Sequence, residues 1–413
     1  MESKIFTYIN TSTPPESDGP MAGTRVIVDS GISVANWPCD AQSVALENYV
    51  ALEDATFILR LRNAGANFKG RTFMAELGLG LDGDTCGAAI NSGLSDVVLK
   101  TDTTGEARMA AAASGCFGFK PSYGLISRFG LFSLIPSMES CGILSRSLET
   151  ISKTIYTMAG LDERDPSMEE SGIDRAMSQF IIPEESHDGP LTVGLVRELN
   201  SAMGQEENKE FEQACEKLGK AGVQIKEVSI KDFSLARTVH NVIGTVEASS
   251  SAGRFDGVRY GHRTGGLVKN WNEMYIKSRG ESFGPLVKAY LFQGGYFQYK
   301  NYNAFLDACR IRASLIETVE KAFETVDMIV LPVSDKPCAT TQKTDTISDF
   351  YDVFSLTLLA NLTGNPSISI PGSVNDDNTR SALQLIGQRF DDARLLARAA
   401  RIYDIYTGEH HEI

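Results

Sequence analysis

Apolar residues recur at helical spacing along several stretches of the chain. Ile58, Leu61 and Ala64 share one face of a helix that Asp54 is placed to cap and Gly65 to stop. Leu148, Ile151, Ile155 and Met158 share a face of another, with Ser147 at its start and Gly160 at its end. The same spacing predicts a helix with Phe211, Ala214, Cys215 and Leu218 inward, one over residues 303–325, and one that Asp391 opens, with Leu395, Ala399 and Ile402 inward. A further helix is expected over Phe73–Leu81. Short apolar runs read as strands: Thr24–Val28, Leu191–Val196, Val223–Val228, Met328–Val333, Ser367–Ile370 and Leu383–Ile386. Residues 191–228 form a β-α-β unit, 1–22 a polar lead-in, and 161–190 an acidic connection. Strands alternating with helices predict an α/β fold with a mostly parallel, helix-covered sheet.

One stretch breaks this pattern. Lys100–Gly130 carries Gly105, Gly115, Gly118, Gly124 and Gly130, a density that calls for backbone close approach or positive φ. Ser114–Pro121 reads as a buried turn feeding a strand, and the whole as a pre-shaped pocket wall or a packed loop. Gly78, Gly80 and Gly83 make a formal GxGxxG, but they follow a helical stretch rather than a strand, so no dinucleotide site is expected.

With 413 residues, 42% of them apolar, the chain can bury a sizeable core. Its net charge of −14 argues against broad nucleic-acid binding. No apolar run approaches the roughly 20 residues that span a bilayer. The start, MESKIFTYIN, lacks a secretory pattern and is a poor transit peptide. Seven scattered cysteines without CxxC favour reduced thiols over a metal site.

The glycine-rich stretch resembles the signature of the amidase signature family, most closely the A-type subunit of the glutamyl-tRNA(Gln) amidotransferases. Thr101–Thr103, Gly105 and Arg108 follow the family's SDTGGSIR, and Gly118–Gly124 (GFKPSYG) follows its GLKPTYG. Ala64–Glu76 is similar to the family's AGA…GKTNMDE. Glu247–Arg263 (EASSSAGRFDGVRYGHR) is similar to a motif particular to the tRNA-dependent amidotransferases, and Arg312–Phe323 and Leu383–Phe390 also fit. The resemblance implies one domain over 1–413, lacking the family's N-terminal helical part and a block between Leu77 and Gly87. It implies a single mixed β-sheet covered by helices on both faces. It also implies a Ser–cis-Ser–Lys triad attacking an amide, with backbone N–H groups stabilising the oxyanion.

Carried over residue by residue, the resemblance puts Asp29 at the lysine, Asp82 at the cis-serine and Glu106 at the nucleophile. The family's tyrosine upstream of EASS falls near His240 or Asn241. Its basic pair after Val287-Lys288 is replaced by Ala289-Tyr290, and its aspartate has no clean counterpart, Asp352 lying too far from Asn361. Thr103, Thr104, Gly105, Arg108 and Tyr290 remain as remnants of the substrate pocket. Ser92, Ser95, Ser114, Ser122 and Ser127 sit at no triad position, and Cys116 is the alternative nucleophile. The expected function is a pseudoenzyme resembling the A-type subunit. Its implied partners are a B-type and a small third subunit of an amidotransferase, and it would meet tRNA only through that complex. An active amidase with a non-standard nucleophile is the alternative. No cofactor is expected. The resemblance points to mitochondria, otherwise the cytoplasm. The acidic positions Asp29, Asp82 and Glu106, with Asp84 and Asp102 near in sequence, leave three outcomes. They are a plug salt-bridged by Lys100, Arg108 or Lys120, a shared proton, or a Mg²⁺ or Ca²⁺ site.

Overall fold

Period-two alternation in the central strands sorts the core into two layers. Val26, Val28, Val97, Leu99 and Ile143 point into a large apolar cluster on one face. Ile27, Val98 and Leu144, their immediate neighbours in sequence, point into a small cluster on the other, made with Ile5, Cys86, Ile90 and the alanines of one helix. A sheet apolar on both faces must be covered on both. The structure is a computed structural model that describes residues 4–12, 18–81, 83, 85–132, 134–181, 190–201, 205–335, 338, 344–374 and 380–408.

The strands, in chain order, are β1 (Phe6–Ile9), β2 (Arg25–Asp29), β3 (Asn67–Thr72), β4 (Val97–Asp102), β5 (Phe117–Lys120) and β6 (Ser140–Ser145). They continue with β7 (Thr192–Val196), β8 (Gln224–Val228), β9 (Met328–Pro332), β10 (Ser367–Val374) and β11 (Arg380–Ile386). Among the described residues they make one 11-stranded sheet in the order β1-β3-β2-β4-β6-β5-β10-β11-β9-β7-β8. β3, β2 and β4 are mutually parallel, as are β9, β7 and β8. In the middle of the sheet β4, β6, β5, β10, β11 and β9 pair antiparallel in turn, as does β1 with β3. The sheet is therefore mixed, as the family resemblance implies, and not mostly parallel as alternation alone suggests. Alternation names elements but not their direction: β10 and β11 pair as neighbours along the chain, and β5 pairs back onto β6.

The predicted helices stand at Thr56–Asn63, Leu148–Met158, Gln205–Lys220, Tyr302–Ala322 and Asp392–Thr407. Ser147 caps the second, its hydroxyl accepting the Thr150 N–H at 3.1 Å. Asp54 caps nothing. Its carboxylate accepts the Ala35 N–H and pairs with Arg62, leaving Ala55 at the helix start. Phe73–Leu81 is no α-helix but a single 3₁₀ turn, Glu76–Gly78, because Leu77, Gly78 and Gly80 all take positive φ. The 1–22 lead-in contains β1, an edge strand too short for the sequence pattern to mark.

The helix Glu106–Ser114 lies flat on the sheet through Ala107, Ala110 and Ala111. A Cβ at Gly118 in β5 would sit 2.5 Å from the Ala111 Cβ and 2.8 Å from the Ala107 carbonyl oxygen. Gly118→Ala is expected to cost about 1–3 kcal/mol by overpacking, read as a lower urea midpoint at unchanged slope.

Candidate functional site

β2 and β4 lie side by side and parallel, so their carboxyl ends, Asp29 and Asp102, open on the same edge of the sheet. Such edges are where α/β sheets place their ligands. From Asp102 the chain turns through Thr103, Thr104 and Gly105 into the helix that Glu106 begins. Gly105 takes φ +127° and abuts Thr357 so closely that a Cβ would lie 2.3 Å from its hydroxyl oxygen. Only glycine fits there.

Glu106 folds its side chain back over this turn. Its Oε2 accepts the peptide N–H groups of Thr103 at 2.7 Å, Thr104 at 2.8 Å and Gly105 at 3.1 Å. Its Oε1 accepts the Thr104 hydroxyl at 2.6 Å. Successive N–H groups converging on one oxygen at a helix start form an anion nest. All of Glu106's partners donate, the pattern that suits an ionised carboxylate. Burial, and then the nearby Asp102 charge, work against that ionisation and push the pKa up.

Arg108, two residues later and fully buried, holds the turn from behind. It chelates Asp102 through Nε (3.3 Å) and Nη2 (2.9 Å) and donates to the Thr357 carbonyl at 3.0 Å. It also bonds the side chains of Asn361 and Gln384. Burial works against the Asp102 charge, but Arg108 and Asn361 hold its carboxyl below the usual carboxylate range. Arg108 is thus spent on Asp102 and is not a cation facing Glu106. Lys120, buried and pushed down to about 7 by burial and by Arg108, donates to the Pro121 carbonyl at 2.8 Å. Arg108 thus salt-bridges Asp102, while Glu106 itself is held by the backbone N–H groups and the Thr104 hydroxyl.

Asp29 is also fully buried. Its carboxylate accepts the Gly31 N–H at 2.9 Å and the Thr101 N–H at 2.7 Å. Burial raises its pKa, opposed by Lys100 and these N–H bonds. Asp82 and Asp84 lie outside the described residues. Among the described residues no group of His, Cys, Asp and Glu is arranged to hold a metal ion.

A second polar chain reaches the same turn from above. His240 Nε2 donates to the Thr103 carbonyl at 3.2 Å, a group that can only accept. Its Nδ1 therefore accepts from the Tyr351 hydroxyl at 2.9 Å, which in turn accepts from Tyr290 at 2.8 Å. Burial pushes the His240 pKa down to about 4, so the ring stays neutral. Tyr290 is therefore no open pocket residue. Asp352 points away, paired on the surface with Arg237. Cys116 is buried in the small apolar cluster beneath the Ala-rich helix. Ser122 is bound to Asp392 at 2.6 Å. Thr357 and Tyr351 carry no mark in the sequence and come from far along the chain with no local motif around them; Gln384 lies in the family-like run Leu383–Phe390, but nothing in that run marks it as a partner of Arg108.

Residues 7–86 and 85–396 match the family described as Amidase. The chain belongs to that amidase family. Within it, the chain is 33% identical to the A-type subunit of glutamyl-tRNA(Gln) amidotransferase from Natronomonas pharaonis, over 92% of this chain and 95% of that one. It is 31% identical to the same protein of Haloarcula marismortui, over 92% and 94%. The Thermotoga maritima counterpart has the same fold, with TM-score 0.77 at 21% identity over 97% of this chain and 87% of that one. A 6-aminohexanoate cyclic dimer hydrolase also shares it, at TM-score 0.73, 17% identity and 96% and 88% coverage. This amidase-family chain is thus similar to the A-type amidotransferase proteins in sequence and fold.

Two outcomes are expected from the site. Arg108→Met strands the Asp102 carboxylate in the core and should cost about 3–5 kcal/mol, measured by urea unfolding. His240 has a folded pKa of about 4 against about 6.5 unfolded, so between these values the unfolded chain binds more protons. Stability should therefore fall as pH drops from about 6.5 to about 4, by roughly 3 kcal/mol from this residue. His240→Phe should be less stable at pH 7 yet show a flatter profile in that window; an unchanged profile would rule this origin out.

Proposed function

We propose that the chain is a non-catalytic, A-type member of a glutamyl-tRNA(Gln) amidotransferase complex, serving it as a structural or regulatory partner. The observation that carries this reading is the Glu106 carboxylate seated in the N–H nest. Amide hydrolysis by a serine enzyme needs a nucleophile at the helix start and free donors where the oxyanion develops. Here one side chain removes both: the nucleophile position is a carboxylate, and that carboxylate occupies the donors. Asp29 stands where the resemblance expects a lysine, and it accepts hydrogen bonds where a base relay needs a proton carrier. Loss of such a unit leaves only background rate. The partners, a B-type and a small third subunit, follow from the likeness to the amidotransferase relatives.

The test is a glutaminase assay of the purified chain, alone and with the B-type and third subunits, beside the triple variant Glu106→Ser, Asp82→Ser, Asp29→Lys. Ammonia release at the uncatalysed rate by the native chain is expected. Turnover that survives Glu106→Gln and disappears with Cys116→Ala would overturn the reading in favour of an unrecognised nucleophile.

A further inference from the structure

The helix Pro285–Tyr299 is apolar on two opposite faces. Its inner face, Val287, Tyr290 and Gly294, is buried. Gly294 lets it press against the helix Ala236–Ser251: a Cβ there would lie 1.8 Å from the Thr245 carbonyl oxygen. Its outer face presents Ala289, Phe292, Tyr296 and Tyr299 to solvent, with Phe292 78% and Tyr299 82% exposed. Counted from Pro285 these positions step by four, three, four and three. That is the a/d spacing of a helix–helix seam, and it confines them to about 80° of arc.

This is not ordinary scatter. Among the described residues, three of the six exposed aromatic side chains (Phe292, Tyr296 and Tyr299) lie on this stripe, and a fourth, Tyr302, starts the next helix. Exposed aromatics gathered in one stripe mark an interaction surface. Charge distinguishes what fits it. The chain as a whole carries −14, yet no Asp or Glu occurs from 282 to 306. Lys288 flanks the stripe on one side and Lys300 on the other, at the positions that choose a partner in helix pairing. Lys288 is near Glu76, whose carboxylate is engaged by Ser43 and the Gly284 N–H; Lys300 is exposed.

We propose that this face docks an amphipathic helix of a different chain, apolar along one seam and acidic on both flanks. A second copy of this chain is disfavoured, because it would set lysine against lysine across the seam. The inner face locks the helix to the core, so the outer face is preformed and binding orders only the partner.

The test uses two three-heptad helical peptides with Leu at a and d, one with Glu and the other with Lys at e and g. Their binding to the full chain is read by fluorescence anisotropy at low and high salt. The Glu peptide is expected to bind at least about tenfold more tightly than the Lys peptide, with a preference that shrinks in salt. Phe292→Asp with Tyr296→Asp should abolish that binding while circular dichroism stays unchanged. Leu52→Asp, another exposed apolar site (86%) outside the stripe, should leave binding intact. Equal affinity for the two peptides, no binding of either, binding that survives the double variant, or a concentration-dependent dimer abolished by it would each overturn the proposal. None of these outcomes depends on whether the chain hydrolyses glutamine.

Discussion

A single buried guanidinium holds the centre of this molecule together. Arg108 places its N–H donors on acceptors from distant parts of the chain: Asp102 at the end of β4, the Thr357 carbonyl, Asn361, and Gln384 in β11. Burying an ion pair costs desolvation, and the arrangement is tolerable because the donors are met and the Asp102 charge is compensated. The Thr103–Gly105 turn depends on it. Asp102 is pinned below, Thr357 closes over Gly105 and bonds the Thr104 carbonyl, and His240 seals the Thr103 carbonyl from above. With its carbonyls tied down on the outside, the turn has its N–H groups left to point inward, and the nest follows.

That nest is a backbone property. An N–H group has no sequence identity beyond the need for glycine where φ is positive and space is short. Glu106 is seated there, its carboxyl group taking the N–H groups of Thr103, Thr104 and Gly105. Asp29 is satisfied in the same manner by the Gly31 and Thr101 N–H groups. Each of these two buried carboxylates is matched to backbone donors, and at Asp29 the Lys100 charge also opposes the cost of burial.

Legibility follows locality. The helices 148–158 and 392–407 are visible in the sequence because one apolar stripe faces one core, and Ser147 announces its cap. The helix 285–299 is invisible to the same reasoning, since apolar residues occupy both its faces and cancel the periodic signal; its two-sided character is what makes its outer face informative. Asp54 misleads because an acceptor before a helix can serve another loop as easily as the helix. The short strands β3 to β6 hide in the glycine-rich stretch and its flanks, where the alternation runs for only four to six residues.

The sequence by itself determined the α/β class, the position of the signature loop and its obligatory glycines. These are properties of residue type and spacing along one segment, which a linear reading can reach. Only the tertiary structure decided that the Glu106 charge is answered by peptide N–H groups rather than by Arg108, and that Tyr290, Tyr351 and His240 form one buried chain. Only it decided the directions of the strands. Each of these depends on which group lies within about 3 Å of another, and in the chain of Tyr290, Tyr351 and His240 groups 61 and 111 residues apart are brought to that distance only by the packing of helices.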